Sequence, residues 1–264
     1  MLVTDKVYVV TGAGSGIGRA LVLELLEQRA RVAAVDMNKK ALDETYGLAG
    51  RFKERLGLFE VDISDKAAVE DLPEKIIKRF NHVDALINNA GIIQPFMKLE
   101  ALGYDDIKHV MDVNFYGTLY MIKTFLPHLL KRPKGHIANV TSVAGFVPIP
   151  TQAVFGASKA AVKLLSESLR SELIHNNVNV SIVIPGIVRT NALESSHAEP
   201  PKDITEEKLR LKFDDPTLVA KQIIKGIEEE KYHIFVGKNT KSMDVIHRIS
   251  PERAAKRVNK RFTV

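Results

Sequence analysis

Between the apolar run Val7-Tyr8-Val9-Val10 and a stretch carrying Leu21 and Leu25 at helical spacing lies Gly12-Ala13-Gly14-Ser15-Gly16-Ile17-Gly18. Glycines there permit a tight turn and a close backbone approach, and the helix that follows presents free N–H groups and positive potential at its start. A pyrophosphate is the group such a turn suits, and the flanking strand and helix give the motif its mechanical meaning. Gly12, Ser15, Gly16, Ile17 and Gly18 are the candidate phosphate-binding residues; the competing reading is an ordinary strand–helix turn. The next apolar run, Arg31 to Val35, ends at Asp36, 18 positions after Gly18. A carboxylate there can accept hydrogen bonds from ribose hydroxyls and would repel a 2′-phosphate, which points to NAD(H) rather than NADP(H). Asp36 could instead be a solvated aspartate capping the next helix, and Lys39 and Lys40 could rescue a phosphate.

Those residues need a frame. Ile17 to Gln28 reads as a helix between two strands, a βαβ unit of about 30 residues. The rhythm continues with a strand at Leu56 to Val61, a helix capped by Ser64 and running to about Phe80, and a strand at Val83 to Ile87. A long helix is expected from Tyr104 to about Lys131, a strand at His136 to Val140 and a helix from Gly156 to about Asn176. A strand at Val178 to Ile184, ended by Pro185-Gly186, precedes a helix at Pro216 to Glu229 and a last strand at His233 to Val236. Alternation of this kind predicts an α/β, doubly wound, mostly parallel sheet of about seven strands with helices on both faces. No linker or repeat interrupts it, so residues 1–264 read as a single domain.

The composition, 45% hydrophobic and 27% charged over 264 residues, fits a globular chain. With no cysteine, it has no disulfide, thiolate nucleophile or zinc–thiolate site, and no metal site is expected. No secretory leader or membrane-length apolar run is seen, and a cytoplasmic location is expected. The net charge of +6 lies in the tail. Residues 238–264 hold eight basic side chains against Asp244 and Glu252, while the remainder is balanced at 30 of each sign.

The spacing Gly12-x-x-x-Gly16-x-Gly18 resembles the short-chain dehydrogenase/reductase family, whose fold is the Rossmann type. Further landmarks agree from Lys6 to about Thr190: Asn88-Asn89-Ala90-Gly91, Asn114 in Val113-Asn114-Phe115-Tyr116-Gly117, Ser142 after Asn139-Val140-Thr141, Lys159 closing Phe155-Gly156-Ala157-Ser158-Lys159, and Pro185-Gly186 before Thr190. The resemblance implies that Asp62 and Ile63 meet the adenine and that Asn89 and Ala90 line its ribose. It further implies that Pro185, Ile187 and Thr190 hold the nicotinamide and Lys159 the nicotinamide ribose. Family members usually form homodimers or homotetramers through the two long helices, with Leu164, Leu165 and Leu169 as candidate contacts; core packing explains these leucines equally well.

The same resemblance implies a tyrosine hydroxyl as general acid or base, four residues and hence one helical turn before a lysine that lowers its pKa. A serine orients the substrate oxygen, and an asparagine supports a proton path. Asn114, Ser142 and Lys159 are present, but the tyrosine position holds Phe155, which has no oxygen. Loss of a positioned acid or base costs about 10²–10⁴ in rate. Three readings stay open: an alcohol–ketone dehydrogenase impaired by a Tyr-to-Phe replacement, a pseudoenzyme that keeps NAD(H) as a structural or sensing ligand, or a different or slower reaction using Ser142 with Lys159 or a water.

A pocket bounded by Ile92, Ile93, Gln94, Val143, Phe146, Val147 and the loop 186–212 would suit a small apolar alcohol or ketone; core packing is the competing explanation for each of these residues. The polar stretch 194–212 is the expected substrate lid, or else mobile surface. In the basic tail, Ser250-Pro251-Glu252 looks like a helix start. Val258 and Phe262, interleaved with Lys256, Arg257, Lys260 and Arg261, could lie on an anionic membrane, or the helix could simply be solvated. No nucleic-acid motif accompanies the charge, so no nucleic-acid partner is expected.

Overall fold

The fold is taken from a computed structural model, which describes residues 3–186, 215–237 and 239–262, with side chains through 259. The described residues form a seven-stranded parallel sheet in the order β3-β2-β1-β4-β5-β6-β7. The strands are β1 Val7–Thr11, β2 Arg31–Asp36, β3 Leu56–Glu60, β4 Ala85–Asn88, β5 Gly135–Val140, β6 Val178–Pro185 and β7 His233–Val236. Central strands are mostly apolar because helices cover both faces; β1 is buried throughout. Chain order reverses beside β1, which pairs with β2 on one side (Val9↔Ala33) and β4 on the other (Val9↔Leu86). Such a switch point opens a crevice at the carboxyl ends of the strands.

The described α-helices are α1 Gly16–Glu27, α2 Lys39–Leu48, α3 Lys66–Glu70, α4 Leu72–Phe80, α5 Tyr104–Met111, α6 Thr118–Leu130, α7 Ala153–Glu172, α8 Pro216–Glu228, α9 Thr240–Ile249 and α10 Pro251–Phe262. One apolar layer packs α1 and α8 on the sheet through Leu21, Leu25, Val219, Ile223 and Ile227. The opposite layer uses Met121, Phe125 and Leu129 of α6 with Leu169 and Leu173.

Several expectations need correction. The helix expected from Ser64 to Phe80 is two helices, broken at Asp71, with Pro73 in the first turn of the second. Its cap is Asp65, whose carboxylate accepts from Ala67 N (2.9 Å) and Ala68 N (3.2 Å). Ser64 instead bonds back to Asp62. The helix after β2 is capped by Asn38, which accepts from Ala41 N, and not by Asp36. The long helix is continuous but widens into a π turn at Asp112–Gly117, between α5 and α6.

The tail is more structured than a solvated extension. Pro251 does open a helix, but α9 precedes it, and the two helices pack together with Thr240, Asp244, Ala254 and Val258 buried. Val258, offered above to a membrane surface, therefore faces the protein. Ile187, Thr190, the lid at 194–212 and the side chain of Phe262 lie outside the described residues.

Candidate active site

At the carboxyl end of β1 the backbone turns through Gly12 at φ +65° and Gly16 at φ +51°, values that disfavour any residue with a Cβ. Gly18 is needed for a different reason: a Cβ there would lie 1.9 Å from the Gly12 carbonyl oxygen. Ser15 occupies the N-cap of α1 but makes no side-chain capping bond, so the first N–H groups of α1 are not taken up by their own cap. Asp36 ends β2 beside this turn. One carboxylate oxygen accepts from Gly14 N and the other from Asn38 N, each at 2.9 Å. Asp62 follows β3 on the same rim, its carboxylate accepting from Ser64 N (2.9 Å) and Ser64 Oγ (2.8 Å). Ile63 is buried against the π turn, where a Cβ on Gly117 would meet it at 2.8 Å.

Two residues that the sequence reading passed over build this rim. Thr11 Oγ1 accepts from both Asn89 N and Ala90 N at 3.0 Å, and Asn89 Nδ2 donates to the Thr11 carbonyl, also at 3.0 Å. This ties β4 to the glycine turn. Arg19 Nε donates to the Gly14 carbonyl (2.9 Å), and its Nη2 pairs with Glu44 (2.8 Å). Thr11 directly precedes Gly12, which is a usable sequence signal; Arg19 has none without the tertiary contact to α2.

Across the crevice, Ser142 follows β5, and its Oγ accepts from Ala144 N at 3.1 Å. Asn114 sits fully buried in the π turn. Its Oδ1 accepts from Ile92 N (2.8 Å), while its Nδ2 donates to the Ile92 carbonyl and to Ser158 Oγ (both 2.9 Å). Ser158 Oγ donates in turn to the Phe155 carbonyl (2.7 Å). Gln94 Oε1 accepts from Val154 N (2.7 Å) and Phe155 N (3.1 Å). Phe155, half-buried in the first turn of α7, is therefore fixed through both its N–H and its carbonyl.

Gln94 was expected as a pocket wall. It is instead a fully buried staple that satisfies the opening N–H groups of α7. Val147 is also fully buried and lines no open surface. Phe146 packs on His247 of α9 with ring centroids 5.7 Å apart, so the folded tail supports the loop that follows Ser142.

Lys159 lies one turn after Phe155 and is buried. Its Nζ donates to the Val140 carbonyl at 3.2 Å, and a Cβ on Gly91 would fall 2.8 Å from Nζ and 3.0 Å from Asn114 Oδ1. Burial pulls this amine down to about 8, with no charged neighbour among the described residues contributing. The structure thus gathers Asn114, Phe155 and Lys159 into one cluster, with Ser142 at the end of the strand below. Pro185 ends β6, buried and paired with Val236. Among the described residues, no group of His, Cys, Asp or Glu could hold a metal ion, and no helix is long and apolar enough to cross a membrane.

The chemistry of this rim fits a dinucleotide: a tight glycine turn that a Cβ would fill at Gly18, an uncapped helix start, and a carboxylate at the end of the second strand, bonded to the turn at Gly14 N. A family model described as short chain dehydrogenase matches residues 6–201. SadH of Mycobacterium tuberculosis, named as an oxidoreductase, is 34% identical over 250 residues, covering 92% of this chain and 90% of SadH. Among solved structures, a short-chain dehydrogenase/reductase from Burkholderia phymatum in complex with NAD superposes with a TM-score of 0.88 at 25% identity, covering 97% of each chain. A short chain dehydrogenase from Burkholderia cenocepacia in complex with NADP superposes with a TM-score of 0.79 at 28% identity, covering 98% of this chain and 99% of the other.

Proposed function

This chain belongs to the short-chain dehydrogenase/reductase family of oxidoreductases, and from that premise we propose that it binds NAD(H) and interconverts a secondary alcohol and a ketone, at a rate held down by Phe155. The observation that carries the cofactor half of the reading is Asp36, whose carboxylate stands at the glycine turn where a 2′-phosphate would meet negative charge. A nicotinamide coenzyme supplies the hydride donor or acceptor when bound. The chain's own part is to cradle pyrophosphate at Gly12 to Gly18, to hold the coenzyme riboses with Asp36, Asn89 and Lys159, and to orient a substrate oxygen with Ser142. The outstanding task is moving a proton to or from that oxygen, for which Phe155 has no atom. The exposed Leu164 and Tyr116 on α7 and the π turn support assembly of two or more copies through these helices.

Two measurements test the reading. Melting with NADH and NADPH in parallel should show stabilisation that rises with ligand, stronger for NADH. Phe155→Tyr should then raise turnover of secondary alcohols or ketones by about 10²–10⁴. Stabilisation by NADH with no turnover gained in the Tyr variant would favour the pseudoenzyme reading; no stabilisation by either coenzyme would remove both.

A further inference from the structure

The residue without a hydroxyl is set in its place as firmly as its neighbours. Gln94 holds the Phe155 N–H, Ser158 holds its carbonyl, and Asn114 holds Ser158. Lys159 Nζ donates to the Val140 carbonyl, and among the described residues the groups packed around it from β5, the Gly91 loop and the π turn carry no charge. The frame for hydride transfer is kept and the proton donor alone is replaced. A ketone suits such a site badly, because hydride addition leaves an alkoxide that must be protonated. An iminium ion does not have that requirement.

We infer that this site suits a preformed iminium cation, reduced at its C=N carbon by a reduced nicotinamide coenzyme; the inference rests on the coenzyme-binding reading above. In this step one C–H bond forms and the C=N π bond breaks. Its electron pair stays on nitrogen as the lone pair of a neutral amine. The dihydronicotinamide loses two electrons as hydride and becomes the cationic nicotinamide, so positive charge passes from substrate to coenzyme and no proton moves. The phenyl face of Phe155 offers attraction to a cation. An ammonium at Lys159 would oppose one, and since burial brings that amine to about 8, the opposition is relieved as pH rises through that value.

The test pairs N-methyl-3,4-dihydroisoquinolinium, a cation with no N–H proton to lose, with α-tetralone, a neutral relative of similar shape, using whichever coenzyme stabilises the protein. The wild-type chain should reduce the iminium with kcat/KM at least about 10²-fold above that for tetralone, and the iminium rate should rise across pH 8. In Phe155→Tyr the iminium-to-ketone ratio should fall by about 10² as tetralone reduction appears. As a readout apart from turnover, the unreactive cation N,N-dimethyl-tetrahydroisoquinolinium should raise the melting temperature of the coenzyme-saturated wild type more than neutral tetralin does. Coenzyme stabilisation without iminium reduction, or a ratio unmoved by the Tyr variant, overturns this inference alone. Failure of both coenzymes to stabilise the protein overturns the coenzyme-binding reading and this one with it.

Discussion

Asp84 and Lys159 are both ionisable side chains shut away from solvent, and they stand at opposite ends of the same sheet. Asp84, just before β4, accepts from Val7 N (2.9 Å) and Arg132 Nε (3.0 Å), with His82 at 3.1 Å and Lys6 at 3.6 Å. Although burial alone would raise its pKa, these partners hold the carboxyl below the ordinary carboxylate range. Lys159, at the carboxyl end, has one backbone carbonyl and no counter-ion among the described residues, and burial pulls its amine down. A buried charge enclosed by partners fastens the strand ends together; one left nearly alone marks a candidate functional site.

The largest expected effect comes from the enclosed end. Asp84→Ala strands Arg132 and the Val7 N–H, and should cost about 3–5 kcal/mol, lowering the melting temperature by on the order of 10 °C. Coenzyme stabilisation should survive wherever the variant remains folded. A loss under about 1 kcal/mol in urea titration would show that Asp84 is an ordinary surface pair and dissolve the contrast.

Lys159→Met should move stability the other way. The folded-state pKa of Lys159 is depressed from 10.5 to about 8, so the unfolded chain binds the proton more tightly. Below about pH 8 the wild type therefore bears the full cost of a buried ammonium. Between about pH 8 and 10.5 unfolding takes up a proton, and stability rises with pH. The coenzyme-free Met variant should be more stable at pH 7 by on the order of 3 kcal/mol. The gap should close towards pH 10.5 in urea midpoints measured along that range. A gap that stays constant with pH would trace the difference to packing instead.

Asp36 lies between the two cases, a half-buried carboxylate held by two backbone N–H groups. Asp36→Ser should shift the NADH-to-NADPH affinity ratio towards NADPH by about tenfold, near 1.4 kcal/mol. Titration of both coenzymes by fluorescence checks this, and an unchanged ratio would mean that Lys39 and Lys40 already govern the choice.

Much of the fold was legible because its signals are local and periodic. The strand at His233 to Val236 appears as read, and the glycine turn falls where strand gives way to helix. Misreadings cluster where one residue has several local uses. Ser64 and Asp65 are both plausible caps, and only the backbone path shows that Asp65 reaches Ala67 N. Gln94 is named with the residues bounding the expected pocket, yet its amide closes the start of a helix 60 positions away in sequence. For the basic tail the sequence leaves a membrane surface or solvent as alternatives, because helical periodicity does not reveal what covers its apolar residues; Ala254 and Val258 are buried in the fold.

Residue order alone determined the alternation of strand and helix, the glycine turn and the carboxylate at the end of the second strand, and the family resemblance marked Phe155 as standing where a tyrosine is usual. These rest on backbone sterics, side-chain period and the plain chemistry of missing atoms. Tertiary structure decided which groups became partners: that Asn114, Ser158 and Gln94 lock Phe155 in place, that charged partners enclose Asp84, and that Lys159 is buried with no counter-ion among the described residues. Partnership depends on distances between segments far apart in sequence, and burial sets the energy of a charge only once those segments have met.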